Sequence, residues 1–236
     1  MTTPPSDPAP TPNNFFDHDL VEKLMRAIRT SADDHVRFPL SLLADGFKRE
    51  PALATKDRVI TLTHIAINNI DAVTRHNAAD ILERLVEKKV ANVANLVVKQ
   101  VRAHLFKAQH VLDDSRAPDQ DSRILEAIRD RETSKARLAF QDDALATING
   151  AQDMLERLLR HEPKKVDRLL TYGVAKIAVT CPSPSAQRKA LHLLDMMENH
   201  KLATFKRPEN EGLEMHLLYR TLEKLKYAAA EAAPNP

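Results

Sequence analysis

The chain has 236 residues, including only 4 glycines, 14 prolines, a single cysteine and no tryptophan. This length is sufficient for a sizeable hydrophobic core, so folding needs neither disulfides nor a structural metal. Sandwiches, barrels and doubly wound sheets depend on glycine at tight turns, so the low glycine content argues against them. The 35 basic and 33 acidic residues nearly cancel, whereas dedicated nucleic-acid binders usually show a clear basic excess.

The two ends of the chain predict segments outside the packed core. Residues 1–16 form a proline-rich lead that we expect to be disordered, and residues 228–236 predict a flexible tail. No apolar run approaches the ~18 residues of a membrane span, and the N-terminus lacks the basic and apolar regions of a signal peptide. The lone Cys181 cannot form an intrachain disulfide. These features favour a cytoplasmic protein without membrane insertion.

Apolar residues at helical spacing predict about ten helices and an all-α fold. In chain order, their apolar faces span Leu20–Ile28, Leu42–Phe47, Val59–Ile70, Ala78–Leu85, Val90–Leu112, Ile124–Ile128, Leu145–Leu159, Leu169–Ile177, Ala190–Met197 and Leu213–Leu225. The fifth helix is the longest, and the pattern extends it back to Lys88. Prolines fall where these patterns start or stop, and Gly150 is not expected to break the seventh helix. The predicted architecture is an α-solenoid or a multi-helix bundle.

The sequence resembles itself when it is shifted along its own length. Three short strings match, namely Glu50-Pro51 with Glu162-Pro163 and His104-Leu105 with His216-Leu217 at a shift of 112, and Asp57-Arg58-x-x-Thr61 with Asp167-Arg168-x-x-Thr171 at a shift of 110. Any two amphipathic helices can be aligned by their apolar faces, but helical periodicity does not force these strings. They predict two related halves, residues 17–113 and 114–227, packed together as one domain.

Two segments of these halves resemble the second helix of a HEAT or armadillo-type repeat. They are residues 73–85 (VTRHNAADILERL) and residues 185–197 (SAQRKALHLLDMM). The resemblance implies a curved helical surface that holds a partner, and it carries no catalytic residues to this chain.

Motifs for chemistry are absent from the sequence. No Cys-x-x-Cys or His-Glu-x-x-His spacing predicts a metal, and no glycine-rich loop can cradle phosphates. We therefore predict no catalytic residue, metal or cofactor, although an enzyme without a recognisable motif stays open. Cys181 is interpreted as an inert loop cysteine, and His104 as a buried histidine with a hydrogen-bond partner.

A basic face on the fifth helix is the candidate binding surface. The segment from Lys88 to Leu112 contains no acidic residue. Opposite its valine stripe, helical spacing groups Lys88, Asn92, Asn95, Lys99, Arg102, Phe106 and His110. A basic, amide-rich face with one exposed aromatic suits an acidic protein, a phosphate backbone or an RNA strand. The alternative is an ordinary solvated helix face.

A second basic cluster straddles Pro163 and is interpreted as surface, because acidic residues are mixed into it. Its members are Arg157, Arg160, His161, Lys164, Lys165 and Arg168.

By architecture and elimination, the sequence predicts a non-enzymatic interaction or adaptor protein that presents a helical surface to a protein partner. The alternative is a nucleic-acid-binding helical-repeat protein that uses the Lys88–His110 face. The sequence leaves the oligomeric state open.

Overall fold

The computed structural model describes residues 18–30, 36–116 and 131–200. Eight α-helices and two short 3₁₀ turns occupy these ranges, and no strand occurs within them. The predicted all-α class is therefore confirmed, with eight helices in these ranges where the sequence predicted about ten for the whole chain. The remaining predictions lie outside the described residues: the lead 1–16, the helices at 124–128 and 213–225, and the tail 228–236.

The helices are numbered here in chain order. They are α1 His18–Thr30, α2 Arg37–Arg49, α3 Lys56–Asn68, α4 Ala72–Glu87, α5 Val93–Arg116, α6 Arg131–His161, α7 Arg168–Thr180 and α8 Pro184–Asn199. The 3₁₀ turns Pro51–Leu53 and Pro163–Lys165 follow α2 and α6, and each begins with proline. Proline suits this position because the first N–H groups of a helical turn have no acceptor within it. Helix α6 continues through Gly150, as predicted.

Helix α5 begins at Val93, whereas the sequence pattern extended it back to Lys88. Lys89 and Asn92 adopt left-handed backbone conformations, with φ angles of 54° and 64°, and a right-handed helix cannot include them. The predicted start was wrong because the valines continue at helical spacing through this turn. Neither glycine nor proline marks the interruption.

Helix α6 organises the packing. Within the described residues it is the longest helix, with 31 residues against 24 in α5, so the prediction that the fifth helix is the longest was wrong. Helix α6 lies against α3, α4, α5 and α8. Helix α5 packs additionally against α3, α4 and α7, while α1 packs on α2 and α2 on α4. One continuous hydrophobic core joins all eight helices. The predicted valine stripe of α5 faces this core, since Val97, Val101 and Leu105 are each 0% exposed.

The helix bounds of the first half recur in the second half at a constant offset. Helix α3 spans residues 56–68 and α7 spans 168–180, so both ends differ by 112. The same offset relates α4 to α8, the first 3₁₀ turn to the second, and the last residue of α2 to that of α6. Buried positions also correspond, as Leu62 with Val174 and Leu82 with Leu194.

This constant offset corrects one of the sequence matches. The shift of 110 aligned Asp57 with Asp167, but Asp57 lies in the first turn of α3, whereas Asp167 precedes α7 as its N-cap. Aspartate is favoured at both positions, so the string alone could not distinguish them. The offset is 112 for α3 with α7, for α4 with α8, for the two 3₁₀ turns and for the ends of α2 and α6. Descent from a duplicated unit stays our interpretation of this offset.

Candidate interaction surfaces

The predicted basic face does not exist as a single helical face. Lys88 is the C-cap of α4, and its Nζ donates a hydrogen bond to the carbonyl oxygen of Lys48 at 3.2 Å. Asn92 lies in the left-handed turn that precedes α5. Placing Lys88 and Asn92 on α5 was therefore wrong, because the turn interrupts the helical spacing that grouped them with the other five residues.

The middle of the predicted face is directed toward α7. Arg102 forms an ion pair with Asp167, the N-cap of α7. Phe106 is half-buried beside Gly173, where a Cβ atom would lie 3.7 Å from Phe106 Cζ. The prediction of an exposed aromatic was wrong, since α7 packs over this part of α5. The stripe residues that stay exposed on α5 are Asn95, Lys99 and His110.

The first part of the predicted face meets the second basic cluster at a cleft of about 260 Å³. Lys89, Asn92 and Asn95 line it from the α5 side, and Glu162 and Lys165 line it from the side of the second 3₁₀ turn. Two lysine ammonium groups and two asparagine amides thus line the cleft together with one glutamate carboxylate. The sequence predicts two separate clusters, because about 70 residues lie between them.

A network of ion pairs centred on Arg157 joins α4 to α6. The Arg157 side chain is only 14% exposed, and its Nη1 lies 2.5 Å from carboxylate oxygens of both Asp80 and Glu83. Its Nη2 lies 3.0 Å from His76 Nδ1, and His161 Nε2 lies 3.1 Å from Glu83. The interpretation of Arg157 as surface was therefore wrong. Its guanidinium connects the two halves of the chain.

A cleft of about 450 Å³ lies beside this network, lined by Ala66, Ala72, Arg75, His76, Ala79, Asp153, Glu156, Arg157 and Arg160. Its cations already have partners. Arg160 pairs with Glu156 at 2.5 Å, and Arg75 donates to the carbonyl oxygens of Asn69 and Ile70 just beyond α3. These guanidinium groups are therefore already bound by acceptors of the protein itself, which argues against a ligand site in this cleft.

Two histidines meet at the junction of α3, α5 and α6. The rings of His64 and His104 have centroids 5.4 Å apart. The side-chain nitrogen of Asn68 lies 3.1 Å from His64 Nδ1 and 3.4 Å from His104 Nδ1, while Thr147 donates to Asn68 Oδ1 at 2.9 Å. Burial, then the charges of His64 and Lys107, lower the pKa of His104 below 6.5. The prediction of a hydrogen-bonded histidine is confirmed, although His104 is only half-buried.

An exposed apolar patch lies where α2 and α4 begin. Phe38 is 71% exposed, Ile70 84% and Val73 47%. Arg37 Nε and Nη2 donate to the two carboxylate oxygens of Asp71, each at 3.0 Å. Because Arg37 precedes Phe38 and Asp71 follows Ile70, this ion pair ties together the two helix starts from which Phe38, Ile70 and Val73 extend. Folded proteins usually bury such side chains, so a cluster of them is a candidate contact surface.

Asp71 has a second role at the same place. As the N-cap of α4, its carboxylate accepts hydrogen bonds from the N–H of Thr74 at 3.0 Å and from the Thr74 hydroxyl at 2.6 Å. The Arg37 guanidinium and then these Thr74 donors hold the pKa of Asp71 well below its usual range. The carboxylate is thus charged at neutral pH and fixes both helix ends that carry the apolar patch.

Comparisons with protein-family models, curated proteins and solved structures found no match for this chain. Among residues 18–30, 36–116 and 131–200, no helix is both long and apolar enough to cross a membrane. The same ranges contain no group of three or more side chains placed to hold a metal ion. Cys181 is buried at the end of α7.

Proposed function

We propose that the protein is a helical interaction module that binds a protein partner through the apolar patch of Phe38, Ile70 and Val73. The observation that carries this proposal is the exposure of these three large apolar side chains at helix starts that the Arg37–Asp71 ion pair ties together. Apolar and aromatic side chains that stay exposed in a cluster mark contact surfaces more often than charged faces do. The HEAT-like resemblance and a cytoplasmic location are part of the same proposal.

The Arg37–Asp71 ion pair supports binding by fixing the patch in advance. Its two parallel hydrogen bonds restrain the starts of α2 and α4, so the apolar side chains above them lose little backbone freedom on binding. A patch of three side chains is smaller than a standard interface of ~1,600 Å². It is therefore the anchor of a larger contact surface rather than the whole of it.

Capture of partners by the tagged full-length protein, with nuclease present, tests this function. We expect a protein to be retained by the wild type and lost with the double variant Phe38→Ser/Ile70→Ser. Leu169→Ser is the matched control, because Leu169 is also a large apolar side chain, 58% exposed, on a different helix. Equal recovery with the double variant, or equal loss with the control, would contradict the proposal.

Nucleic-acid binding is the second candidate, favoured by the convergence of Lys89 and Lys165 on one cleft. Phosphate contacts release counterions, so affinity should fall by ~10³-fold between ~50 and 200 mM salt if several contacts form. The double variant Lys89→Glu/Lys165→Glu should then reduce both the affinity and its salt slope. Salt-independent binding, or binding that is unchanged in the variant, would exclude this candidate.

A further inference from the structure

A groove runs between the last turns of α2 and α4. The ion pair of Arg37 with Asp71 joins the starts of these helices, and Phe47 and Leu85 line the groove near their ends. The two helices are therefore parallel neighbours. The groove has a volume of about 350 Å³ and is lined by Ala44, Phe47, Lys48, Ile81, Arg84, Leu85, Glu87 and Lys88. We call it the α2/α4 groove.

The floor of the α2/α4 groove is apolar. Phe47 and Leu85 are each 2% exposed and Ile81 is 4% exposed, so they belong to the hydrophobic core and present only their edges to the groove. Ala44 leaves space beside them, because it is small and only partly buried. An apolar side chain of a partner can therefore contact core residues without displacing a polar group.

The rim of the groove is basic. Lys48, Arg84 and Lys88 are exposed, and Glu87 is the one acidic residue that lines the groove. Within the described part of the chain, none of these four side chains takes part in an ion pair. Lys88 Nζ donates to the carbonyl oxygen of Lys48 at 3.2 Å, which holds one ammonium group at the rim.

Helix electrostatics explain only part of this arrangement. Cations near a helix C-terminus are stabilised by the helix dipole, and α2 and α4 both carry basic residues in their last turns. That effect accounts for the sign of the charge on each helix. It does not account for an open groove with an apolar floor between the two sets of cations.

We infer that the α2/α4 groove binds an acidic peptide segment that carries apolar side chains. This inference rests on the proposed interaction function and names the chemistry of the partner. The apolar side chains contact the floor at Phe47 and Leu85, and the carboxylates pair with the rim. Arg84 can bind a carboxylate with two parallel hydrogen bonds.

The groove and the apolar patch lie on the same pair of helices. The helical rise from Val73 to Arg84 corresponds to about 16 Å. A single bound helix of about eleven residues covers that distance, with apolar residues at the patch and acidic residues at the groove. The position of the patch and the charge of the rim thus define which end of such a helix carries the apolar residues and which carries the acidic residues.

Binding of labelled peptides to the full-length protein, measured by fluorescence anisotropy, tests the inference. One amphipathic peptide combines leucine with glutamate, a second replaces glutamate by lysine, and a third replaces leucine by serine. We expect the first to bind at least about tenfold more tightly than the other two and to weaken as salt increases. Equal binding of the lysine peptide would overturn charge recognition, and equal binding of the serine peptide would overturn the role of the floor.

Substitutions locate the binding on the groove. Arg84→Gln/Lys88→Gln should weaken the first peptide about fivefold or more, and Ala44→Phe should weaken it by filling the space without changing charge. Lys107→Gln/Arg188→Gln is the matched control, because it removes one exposed lysine from α5 and one exposed arginine from α8, away from the groove. Circular dichroism establishes that each variant is folded. A loss in the control equal to that in the groove variants would place binding elsewhere.

The inference and the proposed function fail in different ways. If no peptide binds but partner capture depends on Phe38 and Ile70, the groove inference is overturned and the interaction function stands. If the peptide binds but capture does not depend on the patch, the patch as binding surface is overturned and the groove inference stands. Sedimentation of the protein alone tests for a second copy, and a dimer that Arg84→Gln/Lys88→Gln abolishes would overturn the peptide as occupant.

Discussion

Gly150 of α6 lies directly against the backbone of Ile67 in α3. A Cβ atom at Gly150 would come within 2.9 Å of both the Cα and the carbonyl carbon of Ile67. One residue further along α3, Asn68 accepts a hydrogen bond from Thr147, one turn before Gly150. The two halves of the chain therefore approach each other at backbone distance, and the absence of a side chain at Gly150 is what permits it.

Gly150→Ala should destabilise the fold, although alanine normally stabilises a helix interior by ~1 kcal/mol relative to glycine. Backbone atoms cannot move aside as a flexible side chain does, so the overpacking should lower the free energy of unfolding by about 1–3 kcal/mol. Urea unfolding measures the change. Gly173→Ala is the control, because its Cβ would meet Phe106 at an ordinary 3.7 Å and should be neutral or stabilising. An equal response of both variants would contradict this explanation.

Arg157→Ala should destabilise the joint between α4 and α6. The variant leaves Asp80 and Glu83 without their shared cation in a partly buried site, which we expect to lower the free energy of unfolding by about 2 kcal/mol. Arg160→Ala is the comparison, because Arg160 is 52% exposed, pairs with Glu156 within the same helix and reaches Glu83 only at 3.8 Å. Such surface pairs contribute about 0.3–0.5 kcal/mol. Similar losses in both variants would show that the network contributes little.

The helices were predictable from the sequence because the apolar residues within each of them recur at the spacing of an α-helix. The buried stripe of Val97, Val101 and Leu105 on α5 is read directly from that spacing. The ion pair of Arg157 with Glu83 was not predictable in this way, since 74 residues separate the two side chains. Periodicity indicates which face of a helix is buried but not which helix covers it.

The candidate surfaces show the same limit. The prediction that Lys88 and Asn92 lie on the basic face was wrong, because the turn before α5 contains neither glycine nor proline and does not interrupt the apolar pattern. The apolar patch joins Phe38 of α2 to Ile70 between α3 and α4, and only the tertiary packing brings them together. A surface formed by two helices becomes visible only once their neighbours are known.

Acidification should weaken the α3–α5–α6 junction through His104. Because burial, more than His64 or Lys107, lowers the pKa of His104 below its ordinary value of 6.5, the unfolded chain takes up the proton first. Stability is therefore present above pH 6.5 and is lost as the pH falls through 6.5 toward the folded-state pKa. Urea unfolding at a series of pH values should show this slope.

His104→Gln should remove that slope while it keeps a side chain that can hydrogen-bond to Asn68. His192→Gln provides the comparison, because His192 is exposed on α8. A pH dependence of stability that survives His104→Gln would be due to other titratable groups.

The lowered pKa of Asp71 affects stability in a separate pH range, because its contribution is lost only as the pH falls below 3.8.

Lys89→Gly should stabilise the protein. The Lys89 N–H donates to the carbonyl oxygen of Val86 at 2.9 Å and the Val90 N–H to that of Leu85 at 3.0 Å, the two bonds of a Schellman motif. Lys89 occupies its left-handed position with φ 54°, where a β-carbon is strained and glycine is not.

Relief of that strain should raise the free energy of unfolding by about 0.5–1 kcal/mol, measured as a higher urea midpoint. Lys88→Gly is the control, because its φ of −73° is ordinary for any residue. Glycine there adds freedom to the unfolded chain and removes the hydrogen bond from Lys88 Nζ to the Lys48 carbonyl oxygen, so it should destabilise. The two adjacent substitutions thus have opposite expected signs, and a common sign would mean that the turn is not held in the left-handed conformation.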